Sequence, residues 1–189
     1  MTIAALKEKI RAEALARRSA FKGSVPELSR RLALVFANSI PIAPGSIVSA
    51  YFAIGDEADP SPLLEVLRGR GYRIALPRVV GRGKPLDFHL VEAGARLIPG
   101  GFGLSEPARD WPIVEPDVLA VPLLGFDALG YRIGYGAGFY DRTLQKLRGK
   151  RPVLAAGFAF SVQEFAEVPH DENDQRLDWM ATENGARQF

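Results

Sequence analysis

Residues 118–122, VLAVP, carry no charge and no turn former before the closing proline. A run this short and this apolar predicts a strand buried on both faces, as strands of a parallel sheet are. Val153–Phe158 (VLAAGF) repeats the pattern downstream, and a helical stretch from about Gly138 to Leu147 lies between the two. Strand, helix, strand in that order predicts a parallel pair with a helical crossover. The same alternation continues towards the N-terminus, with a strand at Ser46–Phe52, a helix from Pro62 to Arg70 ended by Gly71, and a strand from Tyr72 to Leu76. Two helices are predicted to precede these. One runs over Thr2–Phe21 with Ile3, Leu6, Ile10 and Ala14 as its apolar stripe. The other runs over Pro26–Ser39 with Leu28, Leu32, Val35 and Phe36 inward and Pro26 in its first turn. Residues 81–116 are broken by glycine and proline, with one strand expected at Leu86–Val91; a last short strand is expected at Trp179–Thr182. The expectation is a single layered α/β domain over residues 1–189, with a mostly parallel sheet flanked by helices. It is Rossmann-like without a dinucleotide fingerprint.

Composition narrows the chemistry. Hydrophobic residues make up 47% of the 189 and charged residues 24%, ordinary values for a soluble globular chain. The absence of cysteine excludes a disulfide framework and thiolate metal sites, and two histidines, His89 and His170, do not make a His-rich zinc site. The opening MTIAALKEKIRAEALARR has no apolar core of the signal-peptide kind, and no stretch approaches the roughly 20 apolar residues that span a bilayer. A cytoplasmic protein is expected, with a monomer slightly favoured. The net charge of +2 comes from scattered basic residues, which suits a small anionic ligand better than a nucleic acid.

The chemistry concentrates in VPLLGFDALGYRIGYGAGFYDRTL, residues 121–144. A strand leads to a turn at Asp127–Gly130, then to Gly134-Tyr-Gly-Ala-Gly-Phe-Tyr-Asp141 at the start of a helix. Glycines at alternate positions let a backbone approach a ligand closely. The N–H groups at a helix start favour phosphate. Arg132 could add a bidentate phosphate contact, and Asp141 in the first helical turn could hold Mg²⁺ beside bound phosphates. The P-loop pattern is absent, Gly81-Arg-Gly-Lys84 being followed by proline, and the third glycine comes one residue early for G-x-G-x-x-G. On composition alone, a plain connector with Asp141 complementing the helix dipole is an equally good reading.

Other clusters are ambiguous taken singly. Lys7 and Arg11 share a helix face with Arg18 close to the same line, which by itself reads as a solvated basic face. Asp56 and Glu57 follow a strand end, where α/β folds gather ligands, although turn carboxylates are usually solvated. Phe52 and Phe102 read first as core residues. His170-Asp-Glu-Asn-Asp174 is an acidic loop that could converge with Asp141 on Mg²⁺ or simply face water.

The run Gly125–Asp141, with Gly-Phe-Asp, Gly-x-Arg-x-Gly and Gly-Phe-Tyr-Asp, resembles the signature of 5-formyltetrahydrofolate cyclo-ligases. The resemblance extends over almost the whole chain, taking in the basic first helix, Asp56-Glu57 and the Asp171–Asp174 loop. It implies ATP-dependent closure of 5-formyltetrahydrofolate to 5,10-methenyltetrahydrofolate through a phosphorylated formyl oxygen, with Mg²⁺. It implies that Lys7, Arg11 and Arg132 contact ATP phosphates and act in catalysis. With them, Ile133, Gly134, Tyr135, Gly136, Ala137, Gly138, Phe139 and Tyr140 would form the nucleotide loop. Phe52, Glu57, Phe102, Phe139 and Tyr140 would receive the folate, and Asp141 and Asp174 the metal. The resemblance selects Lys7 and Arg11 but not Arg18. Ala137 departs from it, because members often carry glycine, lysine or arginine there. Two other readings stay open: an ATP-dependent enzyme for another small heterocycle, and a noncatalytic relative that keeps the fold as a binding module, RNA being one candidate ligand.

Overall fold

A computed structural model describes residues 2–100 and 105–189. Eight strands form one sheet in the order β12-β11-β10-β7-β1-β2-β3-β6. Its centre is parallel: β1 (Ile47–Ser49), β2 (Arg73–Arg78), β7 (Val118–Val121), β10 (Leu154–Phe158) and β11 (Trp179–Thr182). Both margins turn antiparallel, through β3 (Asp87–Leu90) and β6 (Ile113–Val114) on one side and β12 (Gly185–Gln188) on the other. Two two-stranded ribbons stand apart, β4 (Ile98–Pro99) with β5 (Ser105–Glu106) and β8 (Gly125–Phe126) with β9 (Arg132–Ile133).

The apolar run at 118–122 behaves as its sequence demands. Val118 and Ala120 enter the core on one face of the sheet, and Leu119 and Val121 enter the core on the other. On the first face, Leu32 and Phe36 of α2 (Val25–Ser39) and Leu63 and Leu67 of α3 (Ser61–Gly69) cover the strands. On the second face, α4 (Phe139–Arg148) contributes Leu144 and Leu147. Each such leucine, fully withdrawn from water, supplies about 1.5–3 kcal/mol, which is what fixes α4 and the loop before it.

The first helix is different. In α1 (Ile3–Ala20) the expected stripe is buried only in part, for Ala14 is sealed while Ile3 and Leu6 are exposed. The reason is its partner: Ile10 and Ala14 pack against Leu124, Ile133, Phe165 and Val168 around the β8–β9 ribbon, away from the main sheet. Polar contacts complete the docking, as the next subsection describes.

Strand limits also differ from expectation. β1 stops at Ser49 rather than Phe52: Ala50 N still donates to Ala75 O at 3.3 Å, and beyond it the buried Tyr51 is held instead by its hydroxyl, which donates to Ala58 O at 2.6 Å. β12 was not anticipated, although Asn184-Gly185 at its turn is a hairpin signal. β4, β5 and β6 are two-residue strands within the glycine- and proline-broken region, too short for a period-2 pattern to register. Among the described residues, no helix is long and apolar enough to cross a membrane.

The turn expected at Asp127–Gly130 joins β8 to β9, and Asp127 holds it. Its carboxylate, 1% exposed, accepts from Leu129 N at 2.9 Å and Tyr131 N at 3.0 Å through Oδ1, and from Val168 N at 3.0 Å through Oδ2. Removing the carboxylate leaves three N–H groups without a partner. Asp127→Ala is therefore expected to lower the unfolding free energy by about 2–4 kcal/mol in urea titrations. A loss below about 0.5 kcal/mol would show that water or a neighbour replaces the carboxylate at no cost.

Candidate active site

Three segments meet beside the β8–β9 ribbon: α1, the glycine loop between β9 and α4, and the loop from His170 to Gln175. Gly136 and Gly138 adopt φ of +92° and +64°, a region that side chains resist. A Cβ at Gly136 would lie 3.2 Å from Arg11 Cζ, so the guanidinium rests on this part of the loop. Arg11 Nε donates to Gly134 O at 3.0 Å, and its NH1 donates to Glu8 Oε2 at 2.9 Å. Gly138 caps α4 with no side chain, which leaves the positive end of the helix facing an exposed loop at Tyr135, Gly136 and Ala137.

One helical turn before Arg11, Lys7 closes onto the acidic loop. Its ammonium donates to Asp171 Oδ2 at 2.7 Å and Asp174 Oδ2 at 2.6 Å, and Asp174 Oδ2 also accepts from Asp171 N at 2.7 Å. Burial alone would lower the Lys7 pKa. Hydrogen bonds and charge from the two aspartates outweigh it and hold the ammonium above its ordinary value of 10.5. The Lys7 hydrogen bond, helped by the Asn173 N–H, holds Asp171 down at about 2.

Arg132 leaves β9 with its side chain almost wholly buried and reaches Asp141 in the first turn of α4, NH2 to Oδ1 at 2.6 Å. Its NH1 donates to the Gln175 carbonyl, and Gln175 N donates back to Asp141 Oδ1 at 3.1 Å. Asp141 is thereby tied to the residue that follows Asp174. Arg132 orients this carboxylate. Among the described residues no group of three or more His, Cys, Asp and Glu side chains could hold a metal ion. The Asp174 carboxylate is engaged by Lys7 and the Asp141 carboxylate by Arg132 and Gln175 N.

Behind the loop lies a buried charged group. Glu57 is 5% exposed; its Oε2 accepts from Ile54 N at 2.8 Å, and its Oε1 has no hydrogen-bond partner. Arg18, 7% exposed, brings NH1 to 3.7 Å from that Oε1, too far to bond, while its NH2 donates to the Tyr135 hydroxyl at 2.9 Å. Burial raises the Glu57 pKa, against the Ile54 N–H, the nearby Tyr135 hydroxyl and the Arg18 charge. Tyr140 O–H is buried without a partner, and burial together with the Glu57 charge pushes its pKa far up. Arg18, which the sequence placed on this helix face but read as solvated, is buried here. Its place on the line through Lys7 and Arg11, one turn past the buried Ala14, was the available signal.

The remaining expected residues divide. Ile133 is 3% exposed in the small core under α1, so its side chain belongs to packing. Phe139 lies against the core on the α4 side and Phe52 against the opposite one, both partly buried. Ala137 is exposed, and its carbonyl accepts from Arg142. Phe102 lies outside the described residues.

Comparison with known proteins gives a consistent result. The model of the 5-formyltetrahydrofolate cyclo-ligase family matches residues 3–183. A 5-formyltetrahydrofolate cyclo-ligase of Mycolicibacterium smegmatis is 37% identical over 136 residues, 67% of this chain and 70% of the relative. The Escherichia coli K12 5-formyltetrahydrofolate cyclo-ligase is 30% identical over 164 residues, 82% and 88% of the two chains. The solved structure of Aquifex aeolicus 5,10-methenyltetrahydrofolate synthetase superposes with a TM-score of 0.79 at 30% identity, covering 97% of this chain and 92% of that one.

The Lys7 clip has a pH signature. Asp171 has a depressed pKa, so its contribution is complete above the ordinary carboxylate value of 3.8 and lost as pH falls through about 2. Lys7 has a raised pKa, so its contribution is complete below 10.5 and lost as pH rises through the raised value. Urea unfolding of wild type and Asp171→Asn across pH is expected to give a stability gap that is constant near neutrality and closes as pH falls from 3.8 towards about 2. A gap that is unchanged at pH 2, or that widens there, would contradict the assignment.

Proposed function

The chain belongs to the 5-formyltetrahydrofolate cyclo-ligase family, a family of ligases, and from that premise we propose that it closes 5-formyltetrahydrofolate to 5,10-methenyltetrahydrofolate with ATP, releasing ADP and phosphate. The observation that carries the reading is the double role of one loop. Arg11 lies on Gly136, whereas Tyr135 next to it bonds Arg18 beside the buried Glu57. A phosphate cradle and a recognition pocket for a nitrogen heterocycle thus share neighbouring residues.

The chemistry asks for charge and position more than for a protein nucleophile. A formyl amide is a poor electrophile, so its oxygen takes the γ-phosphoryl group of ATP and ADP leaves. N10 then attacks the formyl carbon and loses its proton, and the carbon–oxygen bond breaks with departure of phosphate. Lys7, Arg11 and the amides at the start of α4 supply positive charge to the nucleotide phosphates, and Arg132 keeps Asp141 in place. Mg²⁺ bound by Asp141 and Asp174 would offset charge on the transferring phosphoryl group. Glu57 would accept from the amino and ring N–H groups of the pterin, with Phe52, Phe139 and Tyr140 along the rings.

Steady-state kinetics, followed by the near-ultraviolet absorbance of the methenyl product, test this division. Glu57→Gln is expected to raise KM for 5-formyltetrahydrofolate by about 10- to 150-fold, as loss of a charge-assisted hydrogen bond does, with little change in KM for ATP. Lys7→Met is expected to show the reverse. If Glu57→Gln moves only the ATP parameters, the folate pocket is misplaced. If wild type with Mg-ATP forms no methenyl product, the proposed activity is wrong.

A further inference from the structure

We propose that Arg18 is a specificity residue, reading the 4-oxo group of the substrate's 2-amino-4-oxo pyrimidine ring while Glu57 reads the adjoining N–H groups. The inference rests on the folate reading above and extends it to a residue on the first helix. Three polar atoms in one buried group lack a hydrogen bond of good geometry: Arg18 NH1 and Glu57 Oε1, which meet only as a 3.7 Å ion pair with the Tyr135 hydroxyl nearby, and Tyr140 O–H. Buried polar groups are nearly always bonded, and an orphaned charged atom costs the most. Here a cationic donor and an anionic acceptor face each other at 3.7 Å without closing, each held back by another contact. Glu57 is fixed through its second oxygen by Ile54 N at 2.8 Å, and Arg18 through its second nitrogen by Tyr135 at 2.9 Å.

An acceptor next to a donor is the complement of a donor next to an acceptor. The edge of a 2-amino-4-oxo ring presents amino N–H, ring N–H and carbonyl oxygen in succession. Glu57 alone accounts for the first two; the carbonyl needs a donor, and Arg18 NH1 is the unpartnered cationic donor beside it. A guanidinium suits the task because it stays charged and its donors lie in one plane with the ring edge. Tyr135 covers the pair from an exposed loop, with the Arg18 Cζ 5.9 Å from its ring centroid. Its hydroxyl oxygen accepts from Arg18 NH2 and so holds the guanidinium with NH1 left for the ring carbonyl.

The test measures binding by calorimetry for 5-formyltetrahydrofolate and for its 4-amino counterpart, which presents a donor where the oxo group presents an acceptor. Wild type is expected to prefer the 4-oxo compound by at least about tenfold, the lower bound for a charge-assisted hydrogen bond. Arg18→Gln, whose amide can face either group, is expected to bring the ratio close to one while ATP affinity holds. An unchanged ratio in Arg18→Gln would overturn the proposal. So would an equal loss for both compounds, which would make Arg18 a mere support for Glu57. Lack of preference in wild type overturns it without any variant. Wild type binding neither compound would instead defeat the folate reading on which the proposal stands.

Discussion

A carboxylate sealed from water must have both oxygens filled, and Asp127 fills them with three backbone N–H groups from two separate segments. Leu129 and Tyr131 fix the turn that launches β9 and, with it, Arg132 and the glycine loop. Val168 fixes the strand of chain that runs on to Asp171, Asp174 and Gln175. The small core under α1 then packs on the same ribbon. The glycine loop, the acidic loop and the basic helix are therefore referred to one point. The main sheet contributes the platform, through α4 and the ends of the parallel strands, but not the relative setting of these three pieces.

Each charge at the site stands beside an opposite one. Lys7 sits between Asp171 and Asp174, Arg132 against Asp141, and Arg18 beside Glu57. The Arg18–Glu57 pair, withdrawn from water on both sides, gains little net stability, because lost hydration offsets its attraction. What the pairs provide is a fixed arrangement into which an anionic nucleotide and a polar ring can exchange. In the proposed reaction, phosphates would take over part of the Lys7 charge, and Asp174 with Asp141 would hold Mg²⁺. Tyr135 links the two halves, since it lies between Gly134 and Gly136 and also holds Arg18.

The centre of the fold was legible because its signal is strong and local. Residues 118–121 read as a strand apolar on both faces, and Leu119 and Val121 against Val118 and Ala120 bear that out. The antiparallel margins were less legible: β6 has two residues, and β12 depends on a turn at Asn184-Gly185 rather than on an apolar pattern. At the site, spacing brought Lys7 and Arg11 to attention, and glycine density brought the loop. Arg18 was read as solvated because an arginine on a helix usually is. Its burial depends on Glu57 and Tyr135, residues 39 and 117 positions away, and no local pattern encodes that meeting. The engagement of Arg132 by Asp141 and Gln175 is tertiary in the same sense.

Isotope transfer tests the proposed chemistry at its decisive bond. 5-Formyltetrahydrofolate carrying oxygen-18 in the formyl group would be turned over with unlabelled ATP, and the released phosphate analysed by mass spectrometry. If the formyl oxygen is phosphorylated and leaves with the phosphoryl group, each phosphate formed carries one labelled oxygen. Unlabelled phosphate, with the isotope recovered in water, would mean that ATP hydrolysis and ring closure are separate events and would contradict the account.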